Sequence, residues 1–180
     1  MPSFGAQSAT PASPFRIEPL GNAHDRAAFS SGSEPLDRYL KTQASQEMRR
    51  RISSCFVAVD AATGAVAGYY TIAATGIPLD KFPDDIAKKL PRYPLVAAGL
   101  LGRLAVATNQ QGKGLGAGLL ADAIRRIAAT DLMAYALVVD AKDEAALRFY
   151  QHFGFTLLSG EVARLVLPVA TALTLVGGKP

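Results

Sequence analysis

Residues 104–120, LAVATNQQGKGLGAGLL, constrain this chain more than any other stretch. An apolar run ends, two glutamines follow, and Gly112, Gly114 and Gly116 open a segment of helical periodicity. Glycines spaced this way let the backbone approach a bulky anion without Cβ obstruction. The free amides of the next helix's first turn, together with its dipole, then hold the negative charge. The pattern predicts a strand, a site for a phosphate or pyrophosphate, and a helix, in that order. Glycine-rich turns of this kind serve several nucleotide folds, and some serve only tight packing.

Two familiar phosphate loops are excluded. The P-loop needs Gly-Lys followed by Ser or Thr, and here Lys113 stands between glycines with neither after it. The dinucleotide fingerprint needs G-x-G-x-x-G and an acid on a strand end some 20 residues on; Gly112, Gly114, Gly116 and Gly118 form a different series leading into a long amphipathic helix. What the loop does spell is Q-x-x-G-x-G, from Gln111 to Gly116. A second motif, RFYQHFGF at 148–155, follows the helix-forming DEAAL: a short helix carries Tyr150, Gly154 stops it, and Phe155 re-enters a strand. Taken alone, Phe149, Phe153 and Phe155 would also serve as ordinary core.

These two motifs, in this order and separated by the strand MAYALVVDA (133–141), resemble the GNAT superfamily of N-acetyltransferases. There [RQ]-x-x-G-x-[GA] cradles the pyrophosphate of acyl-coenzyme A, and a similar FYxxxGF segment places a tyrosine near the coenzyme A sulfur. The resemblance implies an α/β fold: a mixed, mostly antiparallel sheet of six to seven strands flanked by about four helices. It implies acetyl-CoA (coenzyme A) as cofactor, gripped by the strand Leu104, Ala105 and Val106, by the loop Gln111, Gly112, Lys113, Gly114, Leu115, Gly116 and Ala117, and by Phe149. The amine would attack the thioester directly in a ternary complex, and Tyr150 would protonate the departing thiolate.

Along the chain, residues 1–14 read as a disordered lead-in, 15–168 as one acetyltransferase domain, and 169–180 as a C-terminal tail without a clear partner. FRIEPL (15–20) is a strand, and SEPLDRYLKTQASQEMRRR (33–51) a single amphipathic helix capped at Ser33. CFVAVD (55–60) and AVAGYYTIAA (65–74) make a hairpin, and one short helix runs from Pro83 to Leu90. A buried strand (98–107), the glycine loop, a helix at 114–129, a strand at 133–140, a helix at 143–152 and strands at 153–158 and 162–167 complete the order. No apolar run approaches the roughly 18–20 residues that span a bilayer, and the N-terminus lacks the pattern of a signal peptide. The single cysteine, Cys55, permits no intrachain disulfide, which fits a cytoplasmic protein. With only His24 and His152 beside it, no metal constellation is expected.

Four segments narrow the resemblance: LDRYLKTQASQEMRRRISSCFVAV, AGYYTIAA, KKLPRYPLVAAGLLGRLAVA and VVDAKDEAALRFYQHFGF. Together they look like the GNAT toxins of type II toxin–antitoxin systems, which acetylate the amino group of aminoacyl-tRNA and so block translation. Relatives of this kind imply a ribbon-helix-helix antitoxin and a homodimer as partners. Two departures are visible: Ser31-Gly32 stands where the group often has Cys-Gly, and Ala107 where it often has Asp. Net charge is only +4, but the basic residues cluster as Arg49, Arg50 and Arg51, as Lys88, Lys89 and Arg92, and as Arg125 and Arg126. The first two clusters are the candidate tRNA surface, since local clustering binds phosphates even at modest net charge; for Arg49–Arg51 the bland alternative is complementing a helix C-terminus. No exposed aromatic–basic interleaving is expected, so backbone and end recognition should dominate. No Glu or Asp falls on the strand Gly99–Ala107 to act as general base, and Glu34, Asp37 and Glu47 are the remaining acids to consider. An α-amino group, with a pKa near 7.7–8.0 that esterification lowers, needs little help from a base. Two other readings stay open: an N-acetyltransferase acting on a protein or small-molecule amine, and a non-catalytic acyl-CoA-binding module.

Overall fold

A computed structural model describes residues 12–177. The expected lead-in therefore falls largely outside the described residues. Among the described residues seven strands form one sheet in the order β1-β2-β3-β4-β5-β7-β6. These are β1 Phe15–Pro19, β2 Ser54–Asp60, β3 Val66–Pro78, β4 Leu95–Val106, β5 Ala136–Asp140, β6 Thr156–Leu157 and β7 Arg164–Pro168. Neighbours pair antiparallel except β4 and β5, which run parallel. Among the described residues six α-helices flank the sheet: α1 Glu34–Thr42, α2 Ala44–Arg49, α3 Asp84–Ala87, α4 Leu115–Ala129, α5 Glu144–His152 and α6 Val169–Leu175.

The count rises from the expected four for two reasons. The helix expected over 33–51 breaks at Gln43, where φ is −116°. Just before the break, the Thr42 hydroxyl donates to the Arg38 carbonyl at 2.8 Å, a back-bond that bends helices. Ser33 does occupy the N-cap position, but its side chain makes no capping bond. The other addition is α6, formed by the tail that was expected to have no partner. It buries Val169 and Ala172 in the same apolar cluster as α4. The helix expected from Pro83 to Leu90 shrinks to α3, and β3 and β4 extend further into the hairpin than expected.

Strand alternation divides the core. Leu137 and Val139 of β5 face the cluster that α4 heads with Leu119, Leu120, Ile124 and Ile127. Ala136 and Val138 face the opposite cluster, with Phe82 and Leu158. A third cluster sets α1, through Tyr39 and Leu40, against Val57 and Tyr69. Helix α4 is braced as well as packed. Tyr70 on β3 donates its hydroxyl to Asp122 at 2.5 Å, Arg126 donates to the same carboxylate at 2.7 Å, and the Arg126 guanidinium lies 4.0 Å from the centre of the Phe56 ring. Arg126 is thus an internal brace and leaves the third basic cluster expected from the sequence. Arg125 alone stays outside, reaching the Val176 carbonyl at 3.4 Å.

Candidate active site

The site begins where β4 loses a neighbour. Residues Ala98–Leu101 pair in parallel with β5, and no strand continues the pairing beyond Leu101. On the other side the register with β3 slips, Thr71 facing Arg103 and Ile72 facing Leu101, which leaves Gly102 as the extra residue of a bulge. A Cβ at Gly102 would stand 3.0 Å from the Thr71 hydroxyl, so the bulge suits glycine. From Gly102 to Val106 one edge of β4 faces an opening instead of a strand. A cleft of about 440 Å³ fills that opening between β4, the glycine loop and α5.

Of the residues expected to hold the cofactor, Leu104, Ala105, Val106, Gln111, Gly112, Gly114, Leu115, Gly116, Ala117 and Phe149 line this cleft, as does Tyr150. The glycine loop takes the geometry its composition predicts. Gly112 (φ +74°) and Gly114 (φ +87°) are left-handed, and a Cβ on either would meet nothing within 4 Å. That open space above bare backbone is what a phosphate oxygen needs. The first bond of α4 runs from the Gly118 amide to the Gly114 carbonyl at 3.1 Å, so the preceding amides, Leu115 to Ala117, have no partner inside the helix. No acidic residue sits in that first turn to compete for them. The residues present fit a coenzyme A pyrophosphate.

Two expected contacts are placed differently. Lys113 does not line the cleft, and its ammonium donates to the Asn109 carbonyl at 3.0 Å, within its own loop. The Gln111 side-chain amide donates to the Ser31 carbonyl at 2.9 Å and to the Val106 carbonyl at 3.0 Å, so it ties segments together and leaves only the backbone for a ligand. The sequence reading missed Ser31, Ser33 and Leu36, which close the cleft from the α1 side, and Lys142 and Asp143, which close it from α5. These residues join the site only through tertiary contact, and no local spacing marks them.

Tyr150 is 7% exposed, edge-on to Phe149 and Phe155 at 5.2 and 5.4 Å between ring centres. Its hydroxyl makes no hydrogen bond among the described residues, while the residue lines the cleft. Burial pushes its pKa well above the ordinary phenol value, so the group stays protonated at neutral pH. The side chain is a protonated phenol on the wall of the cleft. Cys55 is fully buried, and burial pushes its thiol up to about 12, which removes it as a nucleophile.

Asp143 is the one acid among the described residues that lines the cleft, and it and the three acids singled out from the sequence are all engaged. Glu34 pairs with Arg38 one helical turn away. Asp37 accepts from the Ser31 amide at 2.9 Å and from its hydroxyl at 2.6 Å. Glu47 accepts from Tyr39 at 2.7 Å and Ser53 at 2.9 Å; burial opposes its ionisation, but these bonds and the Arg103 charge outweigh burial and hold its carboxyl below the usual range. Asp143 caps α5, accepting from the Ala146 amide at 2.8 Å, and also takes Lys142 at 3.0 Å.

The basic clusters lie on the surface. Arg49, Arg50 and Arg51 are exposed where α2 ends, and Arg51 itself adopts a left-handed φ of +57°. Lys88, Lys89 and Arg92 are exposed beyond α3. None of the six forms an ion pair among the described residues. One aromatic stands beside them, Tyr93, which is 67% exposed next to Arg92, and a single ring is not the aromatic–basic interleaving of a single-strand binder. The hint in the sequence was a tyrosine in P-R-Y-P, where two prolines stop it from joining a sheet interior.

Comparison with known proteins agrees with this geometry. A model of the acetyltransferase (GNAT) domain matches residues 51–157. The tRNA-acetylating toxin of Mycobacterium tuberculosis is 35% identical over 161 residues, covering 88% of this chain and 94% of the relative. A solved structure of AtaT complexed with acetyl-methionyl-tRNAfMet superposes with a TM-score of 0.81 at 29% identity, covering 91% of this chain and 99% of that one. A tyrosine-to-phenylalanine mutant of the AtaT toxin, bound to the C-terminus of the antitoxin AtaR and acetyl-CoA, superposes with a TM-score of 0.74 at 26% identity, covering 90% and 98%. The chain belongs to the GNAT acetyltransferase family, and it is an acetyl-transferring enzyme. Among the described residues, no helix is long and apolar enough to cross a membrane, and no three His, Cys, Asp or Glu side chains group as metal ligands.

Proposed function

We propose that this enzyme is a toxin that transfers the acetyl group of acetyl-CoA to the α-amino group of aminoacyl-tRNA, and so stops translation. The observation that carries the reading is the state of the candidate bases: Asp143 is the one acid among the described residues that lines the cleft, and it caps α5. Glu34, Asp37, Glu47 and Asp143 are each committed to a cap, a pair or a hydrogen-bond network. A lysine amine, with a pKa of about 10.4, would lack a free base, whereas an α-amino group near 7.7–8.0 or below is largely neutral already. Six exposed cations with no ion pair among the described residues, and the named activity of the 35% identical relative, support the same acceptor.

Acetyl-CoA supplies the activated acyl carbonyl. The amides of Leu115 to Ala117 and the bare backbone of Gly112 and Gly114 hold its pyrophosphate, and Phe149 packs beside it. The free edge of β4 at Leu104–Val106 pairs with the pantetheine and polarises the thioester carbonyl. The acceptor nitrogen then forms its bond to the carbonyl carbon, the carbon–sulfur bond breaks, and Tyr150 gives its phenolic proton to the departing thiolate. The proton lost from the nitrogen goes to solvent, from which the tyrosinate is reprotonated. Arg49, Arg50, Arg51, Lys88, Lys89 and Arg92 take tRNA phosphates. A ribbon-helix-helix antitoxin and a second copy of the chain are the proposed protein partners, and the cytoplasm, where charged tRNA resides, is the place of action.

The test is transfer of labelled acetyl from acetyl-CoA to total charged tRNA, beside deacylated tRNA, a lysine peptide and a polyamine panel. Label on charged tRNA alone is expected. Label on the peptide or polyamines instead would overturn the acceptor assignment and leave the coenzyme site standing.

A further inference from the structure

One well-placed cation is used by neither the coenzyme cleft nor the surface clusters. Arg103 is half-buried on β4, and its guanidinium carbon lies 3.5 Å from the centre of the Tyr39 ring. That ring is itself fixed: Tyr39 is 2% exposed, stacks on Tyr69 at 6.2 Å, and donates its hydroxyl to Glu47 at 2.7 Å. Arg103 is held flat against a rigid platform, yet among the described residues it makes no hydrogen bond and no ion pair. Glu47, whose carboxylate feels its charge, spends that carboxylate on Tyr39 and Ser53. A planar fork of five N–H donors, ordered in advance and without an acceptor, is suited to an oxyanion.

Its position says which oxyanion. Arg103 and Ala105 project from the same face of β4, about 7 Å apart at two strand residues, and Ala105 lines the cleft. Tyr39 lies one turn along α1 from Leu36, which also lines the cleft. The glycine loop, which takes the donor's pyrophosphate, follows the other end of β4, past Val106. Arg103 therefore stands at the end of the cleft away from the donor phosphates, where an acceptor must enter.

Resting on the proposed acceptor, we infer that Arg103 grips the phosphodiester linking the terminal adenosine of charged tRNA to the preceding nucleotide, and so positions the α-amine at the thioester. Arg103 is a positioning residue, since it touches neither the amine nor the carbonyl.

Two small acceptors test this: an aminoacylated adenosine, which lacks that phosphodiester, and an aminoacylated CpA dinucleotide, which has it, both carrying the amino acid found labelled on tRNA. Wild type should favour the CpA ester through KM. In Arg103→Met, whose unbranched stem still covers Tyr39, kcat/KM for the CpA ester should fall roughly 10- to 100-fold. The fall should lie in KM, with kcat within about threefold. The adenosine ester and acetyl-CoA binding should be unaffected. Equal losses on both esters, or none on CpA, overturn the assignment. Should Arg103→Met fail to fold, Arg103→Lys carries the comparison: loss of the fork should cost the CpA ester several-fold and the adenosine ester nothing, and equal values overturn it. Wild type that labels both esters equally well sinks this role alone. Wild type that labels charged tRNA but neither ester also sinks this role alone, whereas no label on charged tRNA in the first place sinks the aminoacyl-tRNA reading, and this inference with it.

Discussion

Gly68 on β3 couples the fold to the site through a single missing carbon. It pairs with Val106 on β4, and a Cβ built on it would stand 2.9 Å from the Ala105 carbonyl oxygen, 3.0 Å from Leu119 Cδ1 and 3.4 Å from Leu115 Cδ2. Comfortable contact begins near 3.5 Å, so something must yield by roughly half an ångström. Leu119 can turn about its side-chain bonds, but the carbonyl is backbone of β4 on its β3 side, and β4 lines the cleft with its other edge. Gly68→Ala should therefore cost about 1–3 kcal/mol of overpacking. In a domain of this size that lowers Tm by about 2–12 °C. It should also displace the β4 edge and raise the acetyl-CoA Kd by about 3- to 10-fold, as small misplacements do in positioned sites. Thermal unfolding and isothermal titration with acetyl-CoA measure both. Gly76→Ala, on the same strand, is the control: its Cβ meets only Leu95, at 3.7 Å or more, so Tm and Kd should stay put or Tm rise slightly. A Tm drop with unchanged Kd in Gly68→Ala would refute the mechanical link between β3 and the cosubstrate edge, because the leucines would then have absorbed the added carbon.

Tyr150→Phe should lower kcat by roughly 10²- to 10⁴-fold with acetyl-CoA binding nearly intact, and a loss under about threefold would remove the phenol from the mechanism. In wild type, kcat/KM on charged tRNA should rise with pH as the acceptor amine loses its proton, below about pH 8. It should then hold to about pH 10, because burial keeps Tyr150 protonated there; an alkaline fall near pH 9 would contradict that protonation state. In the loop, Gly114→Ala forces a side chain onto a φ of +87° and should weaken acetyl-CoA binding, whereas Gly116→Ala meets Phe149 and Val106 only at 3.7–3.8 Å and should be tolerated; equal effects in titrations would show that backbone conformation is not what the loop requires. Asp122→Ala strips the acceptor from the buried Tyr70 phenol and the partner from Arg126, and should cost about 1–3 kcal/mol in denaturant unfolding while leaving kcat near wild type.

The parts of this molecule that were legible in its sequence are those whose chemistry is local. Gly112 and Gly114 announce a bare-backbone turn because their left-handed angles favour glycine, and the run from Arg148 to Phe155 spells a helix stop followed by strand re-entry. What stayed hidden depends on residues distant in the chain. Arg103 reads as a lone cation in an apolar strand until α1 brings Tyr39 beneath it. Arg126 looks like half of a surface cluster until Tyr70 and Asp122 claim it. The tail's TALTL has no cap and little polarity contrast, so α6 becomes a helix because α4 offers a wall to pack on. The break at Gln43 escaped because helical periodicity continues across it; only the Thr42 hydroxyl and the turn of the backbone there distinguish two helices from one.

The Gln111 side chain has a consequence that reaches past its own loop. One amide nitrogen serves carbonyls of Val106, on the cosubstrate edge, and of Ser31, 80 residues earlier in the chain. Neither can leave without loosening the grip on the other. One side chain thus ties two walls of the same cleft together, the β4 edge on one side and the segment ahead of α1 on the other.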